Sequence, residues 1–291
     1  MEKKHYFRVA GHVFAIEDES ERDVTPWLEH YQPFAISQTD EEPVFTLYVK
    51  DKLGKHTFQQ EIHQDDDGSE IMAGNIEDGR PCFKFLLQGH RVATMLTDQA
   101  YRIAELSMSC CQQFGIDNAL MVMYALATAQ RQTALFHSSV VSYQGKGYMF
   151  LGKSGTGKST HSSLWLKHIS GTELVNDDNP VVRVLPNNEI RVYGSPWSGK
   201  TPCYRNVDYP VGAIVLLSQA PYNRIERLVK IKAYAALVPS ISGKRWDKDI
   251  AEGLHQTESL LAQHAPIFHL ECLPDGDAAR LCCETTKQEN E

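Results

Sequence analysis

Lys146-Gly147-Tyr148-Met149-Phe150-Leu151-Gly152-Lys153-Ser154-Gly155-Thr156-Gly157-Lys158-Ser159-Thr160 governs the reading of the whole chain. An apolar run suited to a strand ends in a glycine-rich turn, and a segment of helical character, 158–167, follows it. Residues Gly152 to Ser159 satisfy the pattern GxxxxGK(S/T) at every fixed position. At average composition such a match arises by accident in roughly one chain of this length in a hundred. The chemistry explains the residue types. Glycines let successive backbone N–H groups turn inward around a phosphate, and a helix that opens at the loop adds the positive end of its dipole. Gly152, Ser154, Gly155, Thr156, Gly157, Lys158, Ser159 and Thr160 are therefore the candidate nucleotide contacts. Lys158 is expected along the β- and γ-phosphate oxygens and the Ser159 hydroxyl on Mg²⁺.

Working outward, residues 135–143 and 146–151 read as a hairpin closed by Gln144-Gly145. Strand, loop and helix together begin an α/β unit. Downstream, Leu174-Val175-Asn176-Asp177-Asp178 is a short apolar approach ending in two acids. At a strand end both can reach one pocket, one to serve Mg²⁺ and the other to accept a hydroxyl proton. Further strands are expected at 173–175, 181–185, 190–193 and 212–218, with helices near 232–237 and 250–263. Residues 285–291 are polar and read as a frayed end.

The first 96 residues are β-rich, with strands expected at 6–16, 44–50, 56–62, 81–87 and 91–96 and glycine turns between them. The acidic run Asp65-Asp66-Asp67 lacks the alternating ligands and closing glutamate of a calcium loop, so it reads as a solvated turn. From 98 to 132 apolar residues recur at helical intervals, giving two helices capped by Asp98 and broken at Gly115-Ile116-Asp117. The expected division is a β-rich domain with connecting helices over 1–132 and a nucleotide-binding domain over 133–291. The fold class is α/β, or α+β overall.

Composition narrows the function. The 291 residues are 42% apolar and 23% charged, with a net charge of −8, which disfavours nucleic acid and anionic membrane surfaces as partners. No apolar run approaches the roughly 20 residues that span a bilayer, and the start of the chain has no signal-peptide pattern, so a cytoplasmic protein is expected. The seven cysteines show no CxxC spacing and read as reduced thiols. The 12 histidines form no HExxH pattern.

Phe136-His137-Ser138-Ser139-Val140-Val141, the glycine hairpin, the 152–159 loop and Leu174-Val175-Asn176-Asp177-Asp178 resemble, in order and spacing, the catalytic domain of bacterial HPr serine kinase/phosphorylase. The loop wording also resembles that of phosphoenolpyruvate carboxykinase, whose nucleotide-binding core is shared with that family. The similarity covers 135–185 clearly. It implies an ATP- and Mg²⁺-dependent kinase with a mostly β core flanked by helices. It also implies Lys158 and Ser159 at the phosphates and the metal, Asp177 and Asp178 as an acid pair of which one is the general base, and His137 near the phosphates; of the two acids we favour Asp178 as the base and Asp177 as the metal-side acid. Where the family carries a glycine-rich signature with a glutamate, this chain has Arg191-Val192-Tyr193-Gly194-Ser195-Pro196-Trp197-Ser198-Gly199-Lys200. Lys200 and Arg205 are candidate clamps for the γ-phosphate or the acceptor, and Gly243-Lys244-Arg245-Trp246 is a second basic loop.

The resemblance thus points to transfer of a γ-phosphoryl group to a serine of a protein or peptide, with the first domain recognising the acceptor. Relatives of the family that look like modifying enzymes of small ribosomal precursors make a peptide acceptor credible, and the family implies homo-oligomers. A small-molecule hydroxyl is the alternative acceptor. A nucleotide-binding regulatory protein without phosphotransfer is the alternative from another class, and an ATPase motor or GTPase switch is a third.

Overall fold

The computed structural model describes residues 4–199 and 201–288. The chain divides into two compact units, Met1–Thr128 and Ala129–Glu291. Its class is α/β: each unit is built on a large sheet with helices laid against it. Among the described residues no helix is long and apolar enough to cross a membrane.

In the first unit, β1 (Lys4–Val9) and β2 (His12–Asp18) form a hairpin, followed by a 3-10 segment (Thr25–Phe34), β3 (Ala35–Ile36) and β4 (Thr46–Val49). A meander follows: β5 (Phe58–Asp66), β6 (Ser69–Ile76), β7 (Pro81–Leu87), β8 (His90–Thr97) and β9 (Ile103–Met108). The sheet order is β3-β1-β2-β4-β9-β8-β7-β6-β5, and α1 (Gln112–Thr128) lies on β7, β8 and β9. The expected strand 6–16 is two strands, because Ala10 and Gly11 both take positive φ and close a two-residue turn. The helix expected after Asp98 is strand β9, where Ala104, Leu106 and Met108 are buried in alternation, a period of two rather than 3.6. The Asp98 carboxylate instead accepts the N–H groups of Arg102 and Ile103 in the turn before that strand. One helix therefore replaces two. It runs unbroken through Gly115, whose lack of a side chain admits Ala93 and Met108 at close range. The Asp65 to Gly68 segment is the β5–β6 turn, with the Asp65 carboxylate accepting Gly68 N–H at 2.9 Å. Strand β6 stands where the sequence pattern suggests none.

The second unit begins with β10 (Thr133–Leu135), β11 (Ser138–Tyr143), β12 (Lys146–Leu151), α2 (Lys158–His168) and β13 (Glu173–Asp178). It continues with β14 (Val181–Val184), β15 (Ile190–Tyr193), β16 (Asp208–Gln219), β17 (Arg224–Leu228) and α3 (Ile231–Leu237). It ends with α4 (Lys248–His264), β18 (Ile267–Cys272) and α5 (Gly276–Gln288). The sheet order is β10-β14-β15-β16-β12-β11-β13, with β18 parallel to β16 and β17 on its far side. β12, β16 and β18 are mutually parallel and buried on both faces, which is why Met149-Phe150-Leu151 and Ala213-Ile214-Val215 read as unbroken apolar runs. Trp165 on α2 is fully buried against Tyr148 and Phe150 of β12, with Phe268 and Cys282 in the same core. The strand expected over 135–143 is interrupted at Phe136-His137, where the backbone pairs with Pro180, Ser240 and Ile241 instead. β17, β18 and α5 were not anticipated. Residues 285–288 are helical rather than frayed, and 289–291 lie outside the described residues.

The basic loop at 243–246 is structural. The Arg245 guanidinium donates to Glu258 Oε1 at 2.6 Å and to Val238 O at 3.0 Å, while Tyr234 donates its hydroxyl to Glu258 Oε2 at 2.7 Å. Glu258 is 0% exposed, and burial with this hydrogen bond pushes the Tyr234 phenol up to about 12. The network holds the 238–246 segment on α4, and that segment accepts His137 N–H through Ser240 O at 2.7 Å. Removing one partner of a buried pair strands the other charge. Arg245→Ala should cost about 3 kcal/mol in urea denaturation, and Arg245→Ala combined with Glu258→Leu should recover most of it.

Candidate functional site

The topology gathers one edge. β11 is antiparallel to both β12 and β13, so the start of β11 meets the ends of the other two. Ser138 is paired with Leu151 on one side and Asp178 on the other. The exit of β12 into the glycine loop, the start of β11 and the acid pair therefore stand at one level. The ends of β16 and β18 reach the same edge, since both run parallel to β12.

The loop is shaped by its glycines: Gly152, Gly155 and Gly157 take φ of 152°, 77° and 108°, all in the region that a side chain disfavours. Gly157 is the N-cap of α2 and offers no side-chain acceptor, so the first N–H groups of the helix receive no side-chain cap. Lys158 folds back and donates to Gly152 O at 3.0 Å and Lys153 O at 3.4 Å. Ser154 and Ser159 are exposed on the loop and the first turn. Gln219, at the end of β16, donates to Gly155 O at 3.3 Å.

The two acids differ because neighbouring strand residues face opposite sides. Asp177 is 8% exposed and accepts from Ser139 Oγ at 2.6 Å, which also lies 2.6 Å from Ser162 Oγ of α2. The Asp178 side chain is 32% exposed; its Oδ1 lies 3.4 Å from His137 Nδ1, and its Oδ2 accepts from Asn179 at 2.8 Å. Asn176 orders the following chain: its side chain accepts Asp178 N–H and donates to Ser195 Oγ and Trp197 O. Gly199 then comes against Asp177 O and the Asp178 side chain. Part of the 191–200 segment is thus packed beside the acids.

The structure brings together the loop, His137, Asp177 and Asp178. It does not bring Arg205 to them: that guanidinium donates to Leu174 O at 2.6 Å and Glu173 at 2.8 Å, at the opposite end of β13. Lys200 lies outside the described residues. Ser139, Ser162, Asn176 and Gln219 were not singled out in the sequence, where nothing but their place in the pairing distinguishes them. A cleft of about 550 Å³ opens on the other side of the loop, lined by Thr156, Thr160, Leu164, Leu217, Pro221 and Leu273 among others. Thr160 lines this cleft.

No family model matches the chain, and no curated protein matches it. Among solved structures it is distantly similar to the Hpr(Ser) kinase/phosphatase from Coxiella burnetii, at 14% identity and a TM-score of 0.32, over 54% of this chain and 89% of that one. A likeness that remote leaves the site to be read from its own residues.

His161 lies at the base of the cleft, 3% exposed, with Phe150 edge-on and its Nε2 accepting Trp165 Nε1–H at 3.1 Å. Burial pushes its pKa down to about 4. A histidine held neutral in the fold contributes stability that is full above its unfolded value near 6.5 and is lost as pH falls toward 4. Unfolding of the second unit, followed by tryptophan fluorescence, should lose up to about 3 kcal/mol over that window from this group. His161→Gln should remove that part of the acid sensitivity.

Proposed function

We propose that the chain is an ATP- and Mg²⁺-dependent kinase that transfers the γ-phosphoryl group to a serine hydroxyl of a protein or peptide. The observation that carries this reading is the register that sets Leu151, at the mouth of the glycine loop, level with Asp178 across β11. A triphosphate on the loop then has a carboxylate to one side and an apolar cleft to the other. In this reading the nucleoside occupies the cleft between α2 and the ends of β16 and β18, and the terminal phosphate faces β13. The carbonyls that hold Lys158 are replaced by phosphate oxygens, and the exposed loop N–H groups donate to the rest.

Asp178 serves as the base. The acceptor O–H gives its proton to the Asp178 carboxylate, its oxygen bonds to the γ-phosphorus, and the bond from that phosphorus to the β-phosphate oxygen breaks to release ADP. His137 and Asn179 fix the carboxylate for this step. The donor set fits Mg²⁺, which binds one or two carboxylates together with substrate phosphates rather than an all-protein cage. Among the described residues no cluster of three or more His, Cys, Asp or Glu could hold a metal alone, while Ser159 and Asp177 supply a hydroxyl and a carboxylate. When bound, the ion neutralises charge on the phosphate oxygens. Ser139 holds one Asp177 oxygen and leaves the other to the metal.

The test is transfer of label from γ-³²P-ATP with Mg²⁺ in a lysate of the source cells. A labelled polypeptide band is expected, absent with Lys158→Ala. Asp178→Asn should cut kcat by about 10²- to 10⁴-fold, the usual worth of a general base, with ATP affinity by calorimetry unchanged. Label in a metabolite would favour the small-molecule kinase. ATP binding with label released only slowly to water would overturn the kinase reading in favour of a regulatory nucleotide-binding protein.

A further inference from the structure

The first unit, residues 1–128, has 11 lysines and arginines against 21 aspartates and glutamates. Its described cations fall into two sets. Lys4, Arg8, Lys50, Arg80 and Arg102 each have a carboxylate within 4.0 Å, among them Glu17, Glu41, Glu105, Asp78 and Glu42. Arg22, Lys52, Lys55, Lys84 and Arg91 form no such pair with any described residue, and all five line one groove of about 800 Å³. The one carboxylate among the lining residues, Asp51, is engaged by Glu21 N–H at 3.1 Å.

The groove lies on the sheet face turned away from α1. Lys84, Thr94 and Ser107 are paired in register across β7, β8 and β9 and point to one side, whereas Ala93 meets Gly115 of α1 on the other. Its floor is apolar: Leu53 and Phe58 pack on Ile76, Cys82 and Leu96. The Lys84 ammonium stands 3.9 Å from the centroid of the Phe58 ring, and partial burial pushes its pKa down. A desolvated cation facing other cations is stabilised by an incoming anion.

We propose that this groove binds an acidic stretch of polypeptide, with carboxylates against the five unpaired cations and an apolar side chain against Leu53. On the reading above as a polypeptide kinase, that stretch belongs to the acceptor; binding itself does not depend on that reading. A peptide fits better than nucleic acid. The Phe58 ring is already covered by Lys84, and a surrounding unit of net negative charge repels a long phosphate backbone. It also fits better than a compact polyanion, because the cations come from well-separated segments around an apolar centre.

The probe is a short fluorescein-labelled peptide of glutamates and leucines, titrated with the full chain and followed by anisotropy. Binding should weaken steeply with salt and fall about tenfold or more in Lys84→Glu/Arg91→Glu. Lys52→Glu/Lys55→Glu, on exposed side chains whose loss cannot disturb the core, should also weaken it. Lys158→Ala should bind the peptide as the unaltered chain does, so failure of the kinase reading is distinguishable from failure of this one. Unchanged affinity in both double variants would overturn the proposal. So would binding of an oligonucleotide or inositol hexakisphosphate, lost in those variants, where the peptide does not bind.

Discussion

The double pairing of β11 is the constraint on which the second unit depends. One strand, hydrogen-bonded antiparallel on both sides, transmits the position of the β12 exit to the end of β13. A slip of one residue in either ladder would turn every side chain of the slipped strand to the opposite face. Asp177 would leave Ser139 and Ser162, and Asp178 would leave His137. Because the two acids are neighbours on a strand, they are forced into unlike surroundings, one buried against α2 and the other open beside His137. Two carboxylates with different environments can take different tasks, which two equivalent ones could not.

The rest of the unit keeps that register in place. Parallel strands buried on both faces hold β12 from one side, and Trp165 pins α2, and with it the start of the glycine loop, on the same core. On the remaining side His137 leaves the ladder and is held by the 238–246 segment, which the Arg245–Glu258 pair fastens to α4. The histidine beside Asp178 is thus positioned by a charged pair and not by apolar packing alone.

The parts that sequence made legible are those whose cause is local. The strand, glycine turn and helix around Gly152 to Ser159 follow from backbone conformation and periodicity, and 190–193 matches β15 residue for residue. The misreadings have non-local causes. Ile103 to Met108 carries apolar residues at spacings that fit a helix, but pairing with β4 and β8 makes it a strand. Gly115 signals a break in isolation and a close helix–sheet approach in the fold. Arg205 sits near the acids in sequence and is bound to the wrong end of the same strand, roughly 10–13 Å along it at the rise of a β-strand over three to four residues. The role of Ser139 depends on a partner 38 residues away.

Charge shows the same limit from another direction. A net charge of −8 argues against polyanionic partners as a statement about the long-range field. Within a Debye length of about 8–10 Å, however, what matters is which charges are already neutralised. In the first unit the excess carboxylates take up Lys4, Arg8, Lys50, Arg80 and Arg102, and the other described cations are collected around one groove of the sheet. The acidity of the whole therefore sharpens the groove: it discourages long phosphate polymers at a distance while leaving a short acidic peptide a place where attraction is local.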